Sequence, residues 1–317
     1  MNDPAPRAVL DHVLRLVAGA ECGESLVLRG SMAMLARVGD GARPPRDLDW
    51  IVLASRATPI DDLDPYPYVN QLDVARNWPE AAHGAGRPKM WTFEDLDTGG
   101  LKPRLPPEGL HWLTVEETAE DLNRPHDDVI DLIRAQPRVD GGVILDVQNA
   151  SYDARWAYAY NQDEGGGGGV RVLVPWRAGD GRDGTLQLDF AYDEVLPETP
   201  ALTAVPREGG GQPTVLWAAT TALSLMWKLQ WLATDQVDHG YVEGKDLYDA
   251  VLLAELDSTV LSSRLQHALR SRLPDPEVLN PDTVRGWAVD WSSLNVHSGR
   301  QGWLDRLATA LDVLLED

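Results

Sequence analysis

A single cysteine, Cys22, stands in 317 residues, which excludes a disulfide framework and any cysteine-based metal centre. With no histidine beside it, Cys22 reads as a small buried apolar residue rather than a nucleophile. The seven histidines are scattered with no pair at metal-ligand spacing, so zinc chemistry has no support; His239 is retained only because it falls near a candidate site. Basic residues are in deficit, 28 Lys and Arg against 50 Asp and Glu, for a formal net charge of −22. A chain of that charge repels a polyanion at long range, so any nucleic-acid contact must be local. No apolar run reaches the roughly 18 residues a membrane helix needs. Met1–Leu10 carries Asp3 and two prolines where a secretory signal has a basic stretch and an apolar run, and a cytoplasmic protein is expected. Phenylalanine is scarce, two residues against twelve tryptophans. Trp217, Trp227 and Trp231 fall in one segment of helical pattern, where they either stack a base or, more simply, fill core.

What remains is ordinary globular composition, 43% hydrophobic and 25% charged, in a chain long enough to bury one large core or two smaller ones. Val9, Leu10, Val13, Leu14 and Val17 recur at helical spacing and Gly19 closes that helix. Ser25 to Leu28 reads as a strand, Gly30-Ser31 as a tight turn, and Met32 to Val38 as a helix ending at Gly39. Gly41 to Pro45 is a loop, and Asp47 to Leu53 a central strand with apolar residues on both faces. Residues 55–137 are punctuated by Pro, Asp and Gly, with helical patches only at Val115–Leu122 and Asp127–Ile133. Four strands follow, Val143–Val147, Ala154–Tyr160, Val170–Pro175 and Thr185–Tyr192. The five glycines Gly165–Gly169 join two of them as a hairpin tip, not as a phosphate loop. From Thr214 onward the pattern is helical: Thr214–Ala233, Gly244–Leu256, Thr259–Leu273, Pro281–Leu294 and Gly302–Leu315. The expected architecture is a mixed α/β (α+β) sheet domain over residues 1–211, with an irregular insertion at about 55–137, followed by a helical domain over 212–317.

Chemistry concentrates first at Asp47-Leu48-Asp49. Alternate residues on a strand share a face, and two carboxylates on one face can grip one divalent cation, magnesium being the ion that binds through one or two carboxylates plus water and substrate phosphate. The competing reading is a pair of acids at an exposed strand start. Gly30-Ser31 at a strand-to-helix junction offers backbone amides, a hydroxyl and a positive helix end to a phosphate. Sixteen residues separate Ser31 from Asp47, enough for a helix and a loop to return the chain beside the first strand. Asp189 points opposite to Leu186, Leu188 and Phe190 along its strand and is a candidate third carboxylate. Arg29, Arg37, Arg43 and Arg46, with Asp40 as the only acid between Arg29 and Arg46, form either a solvated basic face or a local RNA contact.

The blocks Leu28-Arg29-Gly30-Ser31-Met32-Ala33-Met34-Leu35 and Pro45-Arg46-Asp47-Leu48-Asp49 resemble those of the AbiEii/AbiGii-type nucleotidyltransferase toxins of type IV toxin-antitoxin systems. Gly141 to Asp146, Leu186 to Asp193, Lys228-Leu229 and Gly244-Lys245-Asp246-Leu247-Tyr248-Asp249-Ala250 resemble that family's later blocks in the same order. The resemblance implies a nucleotidyltransferase fold, with Gly30 and Ser31 on the nucleotide phosphates, Asp47 and Asp49 on magnesium, Lys228 on the triphosphate and Asp246 completing the site. Asp189 aligns with a family aspartate and is carried as a further metal ligand, closure of the sheet being its alternative. Lys228 as a solvent-facing lysine and Asp246 as a helix cap are the alternatives there. The implied reaction is attack of an acceptor hydroxyl on the α-phosphorus of a nucleoside triphosphate, the acceptor an RNA end such as tRNA, in a toxin with a separate antitoxin protein as partner. A small-molecule or protein hydroxyl as acceptor, and a non-catalytic partner-binding relative, stay open.

Overall fold

The computed structural model describes residues 4–53, 57–60, 111–114, 124–153, 168–192, 194, 196–294 and 300–315. The chain divides into two compact units, residues 1–53 with 125–317, and residues 54–124. Along the first unit run α1 (Ala5–Ala18), β1 (Leu26–Arg29), α2 (Gly30–Val38) and β2 (Asp47–Val52). The second unit is described over β3 (Ala57–Ile60) and β4 (His111–Thr114), which pair in parallel. The chain returns to the first unit with α3 (Pro125–Ala135), β5 (Arg138–Val139), β6 (Val143–Leu145), β7 (Ser151–Asp153), β8 (Gly169–Ala178), β9 (Asp183–Ala191), β10 (Ala201–Val205) and β11 (Thr214–Ala218). It ends in α4 (Thr221–His239), β12 (Val242–Glu243), α5 (Gly244–Ala254), α6 (Ser263–Arg272), α7 (Pro281–Arg285), β13 (Val289–Asp290) and α8 (Arg300–Leu314).

One mixed sheet of nine strands organises the first unit, in the order β10-β11-β1-β2-β9-β8-β6-β5 with β7 on β8. β2 and β9 pair in parallel and β1 pairs antiparallel with β2, so both neighbours of β2 are strands and the acidic strand is central, as its apolar run predicts. The period of two then sorts its residues. Leu48, Trp50 and Val52 enter a core shared with α1 and α3, whereas Ile51 enters a second core built by the C-terminal helices. Asp47 and Asp49 alternate with Leu48 and Trp50 and so share the Ile51 side, the side on which the helical lobe sits. On β9 the same alternation sends Leu186, Leu188 and Phe190 into the α1 core and leaves Asp189 opposite, in register with Asp49.

Several elements differ from the sequence pattern. Thr214–Ala218 is a strand, not the start of a helix; Thr214, Leu216 and Ala218 are buried while Val215 is exposed, the alternation of a sheet strand. Helix begins only at Thr221, where the Thr220 hydroxyl accepts from the Leu223 amide at 3.1 Å, so Trp217 lies on β11 and not with Trp227 and Trp231. The strand Ala201–Val205 carries no strong signal of its own and is formed by pairing with β11. Pro281–Leu294 is helical only to Arg285, because residues 289–290 leave to pair in parallel with β12. α3 was expected inside the irregular stretch 55–137, yet its Val129, Ile130 and Ile133 belong to the core of the first unit. Val115–Leu122, Ala154–Tyr160 and Gly165–Gly167 lie outside the described residues.

Candidate functional site

β1 hands the chain to α2 at Gly30, whose φ of +71° is a conformation glycine adopts without strain. A Cβ here would lie 2.0 Å from Asp49 Oδ2, so the absent side chain is what lets the carboxylate approach the turn. The next residue, Ser31, is buried and donates through Oγ to Asp47 Oδ1 at 3.2 Å. Turn and acidic strand therefore converge, each of the two aspartates being placed by one of the two turn residues.

Asp189 is held differently. Arg171 stands directly across the β8–β9 hairpin and donates from Nε to Oδ1 at 2.7 Å and from Nη2 to Oδ2 at 2.8 Å, a two-pronged pair; Gln187 adds an amide donor at 2.9 Å. Asp189 is thus beside the acidic pair but committed to Arg171. Among the described residues no three His, Cys, Asp or Glu side chains converge as a metal cage. The oxygen donors that fit a magnesium ion are the Asp47 and Asp49 carboxylates, and two suffice for an ion that completes its shell with water and phosphate.

The helical lobe brings the opposite wall. Lys228 is no solvent-facing lysine: its side chain is 7% exposed, its Nζ donates to Asp246 Oδ1 at 2.6 Å and lies 3.3 Å from Asp249 Oδ2. It also sits 4.9 Å from the centre of the Trp231 ring, a cation–π contact. Burial alone would lower the Lys228 pKa, but Asp246 and then Asp249 outweigh it and the net shift is upward. Asp246 is the mirror case, burial pushing it up and Lys228 pulling it further down, for a net lowering. Asp249, wholly buried, also accepts from Arg43 Nε at 3.1 and 3.0 Å, which ties the loop ahead of Asp47 to α5. α5 opens on Gly244, where a Cβ would strike the Trp291 ring at 2.6 Å and the Asp290 carbonyl at 2.8 Å, so the absent side chain is what lets this helix end pack against residues 290–291.

These residues enclose one cavity of about 480 Å³ whose walls include Gly30, Asp47, Asp49, Asp189, Lys228 and Asp246. Its charge inverts that of the molecule. Arg29, Arg43, Arg46, Arg171, Lys228 and Lys245 line it against Asp47, Asp49, Asp189 and Asp246, in a chain of net charge −22. Sequence reading named Gly30, Asp47, Asp49, Asp189, Lys228 and Asp246 as site residues, and all of them line the cavity; Ser31 reaches it through Asp47. It missed Arg171, Gln187, Lys245 and Asp249. Two of these carry a signal in the pattern: Gln187 shares the face of Asp189 two residues on, and Asp249 follows Asp246 at the three-residue spacing of one helix face. His239 is exposed beside Tyr241 and takes no part in the cavity lining.

The arginine cluster dissolves on inspection. Arg29 is buried and donates to Glu194 at 2.5 Å, Arg37 donates to Thr203 Oγ1 and to the Ala219 carbonyl, and Arg43 pairs with Asp249. Only Arg46 of the four is exposed.

A mixed sheet whose central acidic strand faces a lysine from an adjoining helical lobe is the architecture of nucleotidyltransferase-like proteins. The family comparison is more specific: residues 94–309 match the model described as nucleotidyl transferase AbiEii toxin, type IV toxin-antitoxin system, and this is more than half of the chain, which therefore belongs to that family. The match spans Asp189, Lys228 and Asp246 but begins after the Gly30-Ser31 turn and the Asp47/Asp49 pair, which reach the same cavity through the fold. No curated protein is similar enough to the chain to match it. Among the described residues no helix is long and apolar enough to cross a membrane.

Proposed function

We propose that the protein moves a nucleoside monophosphate from a nucleoside triphosphate to an acceptor hydroxyl, an RNA end such as that of tRNA, and that it acts in the cytoplasm as the toxin opposed by a separate antitoxin protein. One observation carries this reading: the Gly30-Ser31 turn with Asp47 and Asp49, and the Lys228–Asp246 pair, come from distant parts of the chain to line one cationic cavity. Because the Ser31 hydroxyl is engaged with Asp47, the anion-binding donors of the turn are the backbone amides at the start of α2, a nine-residue helix whose positive end adds to them. Magnesium would be held by Asp47 and Asp49 and would supply Lewis-acid charge to the phosphate and a lowered pKa to the attacking hydroxyl. Lys228 has three N–H donors, two of which are drawn to Asp246 and Asp249, and the third serves a phosphate oxygen. Asp246 and Asp249 hold that ammonium in place, while Asp189, through Arg171 and Gln187, fixes the neighbouring strand wall.

A second reading, the same transfer to a small-molecule or protein hydroxyl, is favoured by the net charge of −22 and by the loss of three arginines from the presumed RNA patch to internal partners. Incubation with each labelled triphosphate, magnesium and total cellular RNA, repeated without RNA, separates the two. Label in RNA supports the first reading, label only in protein or small molecules the second, and no label in any arm removes nucleotidyl transfer. In the productive arm, Asp47→Asn and Asp49→Asn are each expected to abolish transfer with Tm within a few degrees of wild type, because an amide keeps the shape but not the anionic ligand. Near-wild-type turnover of either variant would remove the metal assignment.

A further inference from the structure

The cavity holds six cationic side chains, and their partners divide them. Arg29 is bound to Glu194, Arg43 to Asp249, Arg171 to Asp189 and Lys228 to Asp246. Each of these positive charges is already met by a carboxylate at hydrogen-bond distance. Arg46 and Lys245 are different: both line the cavity, and neither has a hydrogen bond or ion pair among the described residues. They come from different elements, Arg46 immediately ahead of Asp47 where the chain approaches β2, and Lys245 in the first turn of α5 next to Asp246. The α5 start adds backbone amides and the positive end of an eleven-residue helix on the Lys245 side. We propose that Lys245 and Arg46 form the clamp for the phosphate chain of the substrate, a polyphosphate held between the sheet wall and the helical wall. The proposal rests on the nucleotidyl-transfer reading for the substrate's identity but assigns binding to residues that reading leaves out.

Physical chemistry sets the division of labour. A cation already satisfied by a buried carboxylate gains little from a second anion, because the new contact competes with an existing charge-assisted bond. An uncommitted cation at a cavity wall gives up only water. The chain's −22 would otherwise repel a polyphosphate, and these two cations, which have no hydrogen bond or ion pair among the described residues although Lys245 also acts through space on Asp246, supply the local attraction. Lys228 then positions a single phosphate oxygen, whereas Lys245 and Arg46 carry the bulk of the charge.

The test uses inorganic tripolyphosphate as the probe, titrated calorimetrically into the full chain at fixed magnesium, with Lys245→Met, Arg46→Met, the double variant and Lys245→Arg. Each single methionine variant is expected to weaken binding about tenfold, and the double variant about a hundredfold, the loss typical of one and two charge-assisted contacts. Lys245→Arg, which keeps the charge, should bind within a few-fold of wild type. Arg46 is exposed and Lys245 half-buried, so all variants should melt near the wild-type temperature. Wild-type affinity in the double variant, or no tripolyphosphate binding by the wild-type protein, overturns the clamp. Tripolyphosphate bound through Lys245 and Arg46, with no labelled nucleotide transferred to any acceptor, supports the clamp and removes the transfer reading alone.

Discussion

Single residues set the geometry of the acidic pair. Gly30 combines a φ of +71° with an Asp49 oxygen where its Cβ would be, so Gly30→Ala meets two obstacles at once. The backbone strain costs about 1–3 kcal/mol, and the displaced Asp49 carboxylate is expected to lower transfer by about a hundredfold, the usual effect of misplacing a reacting group by an ångström. A thermal melt and a turnover assay of that variant check both, and a variant with unchanged Tm and rate would mean that the turn does not place Asp49. Cys22 is the opposite kind of residue. It is half-buried against the α1 core, and burial first, the nearby Asp128 second, push its thiol up to about 11. It stays protonated across the physiological range, so alkylation by iodoacetamide at pH 8 should be much slower than for a free thiol, and Cys22→Ser should transfer at the wild-type rate. Rapid alkylation would restore Cys22 as a reactive group.

Between elements, the network Lys228, Asp246, Asp249 and Arg43 joins α4, α5 and the loop before β2. Removing one partner of a buried pair strands the other, so Lys228→Met is expected to destabilise the protein by about 3–5 kcal/mol besides slowing transfer. The pH dependence has a fixed sign. The Asp246 pKa is lowered from 3.8, so its contribution is complete above that value and lost as pH falls through the lower folded value. The Lys228 pKa is raised from 10.5, so its contribution is complete below that value and lost as pH rises through the higher folded value. Tm plotted against pH should therefore be flat for this pair between the two limits, and Lys228→Met should lose the alkaline step; a pair-dependent step near neutrality would contradict the geometry. What the sequence makes legible follows from range. The Gly-Ser turn, the alternation that turns Asp47, Asp49 and Asp189 to one side and the amphipathic α1 are all local patterns, readable within a few residues. Thr214–Ala218 is not legible as a strand because its apolar spacing fits either period and only its pairing with β10 and β1 decides. The role of Arg171 exists only across a hairpin register, and that of Asp249, although its spacing from Asp246 is legible, depends on Lys228 and Arg43 from distant parts of the chain. The arginine cluster misled for the converse reason: sequence proximity suggested a shared face, whereas Arg29, Arg37 and Arg43 go to Glu194, Ala219 and Asp249, each far along the chain.

At the scale of the whole molecule, electrostatics opposes the proposed RNA acceptor. A protein of net charge −22 repels RNA beyond about a Debye length, roughly 8 Å at physiological salt, so binding must be won inside a small cationic region. With Arg29, Arg37 and Arg43 engaged internally, what is left of the arginine cluster at the cavity is Arg46, which with Lys245 is open to an RNA phosphate when no triphosphate occupies the clamp. An RNA end held there can touch only two or three phosphates, and each contact to a single strand contributes about −0.7 to the slope of log affinity against log salt. Binding of a short single-stranded RNA, measured by fluorescence anisotropy between low and physiological salt, is therefore expected to give a shallow slope of about −1.5 to −2. Arg46→Glu should flatten it by one contact, whereas Arg37→Glu should lower Tm without the same change in slope, because Arg37 supports the Ala219 carbonyl behind the sheet. A slope several times steeper would require an extended basic surface and overturn the local-contact account. No measurable RNA binding, with transfer to a small or protein hydroxyl intact, would assign the acceptor to that second class.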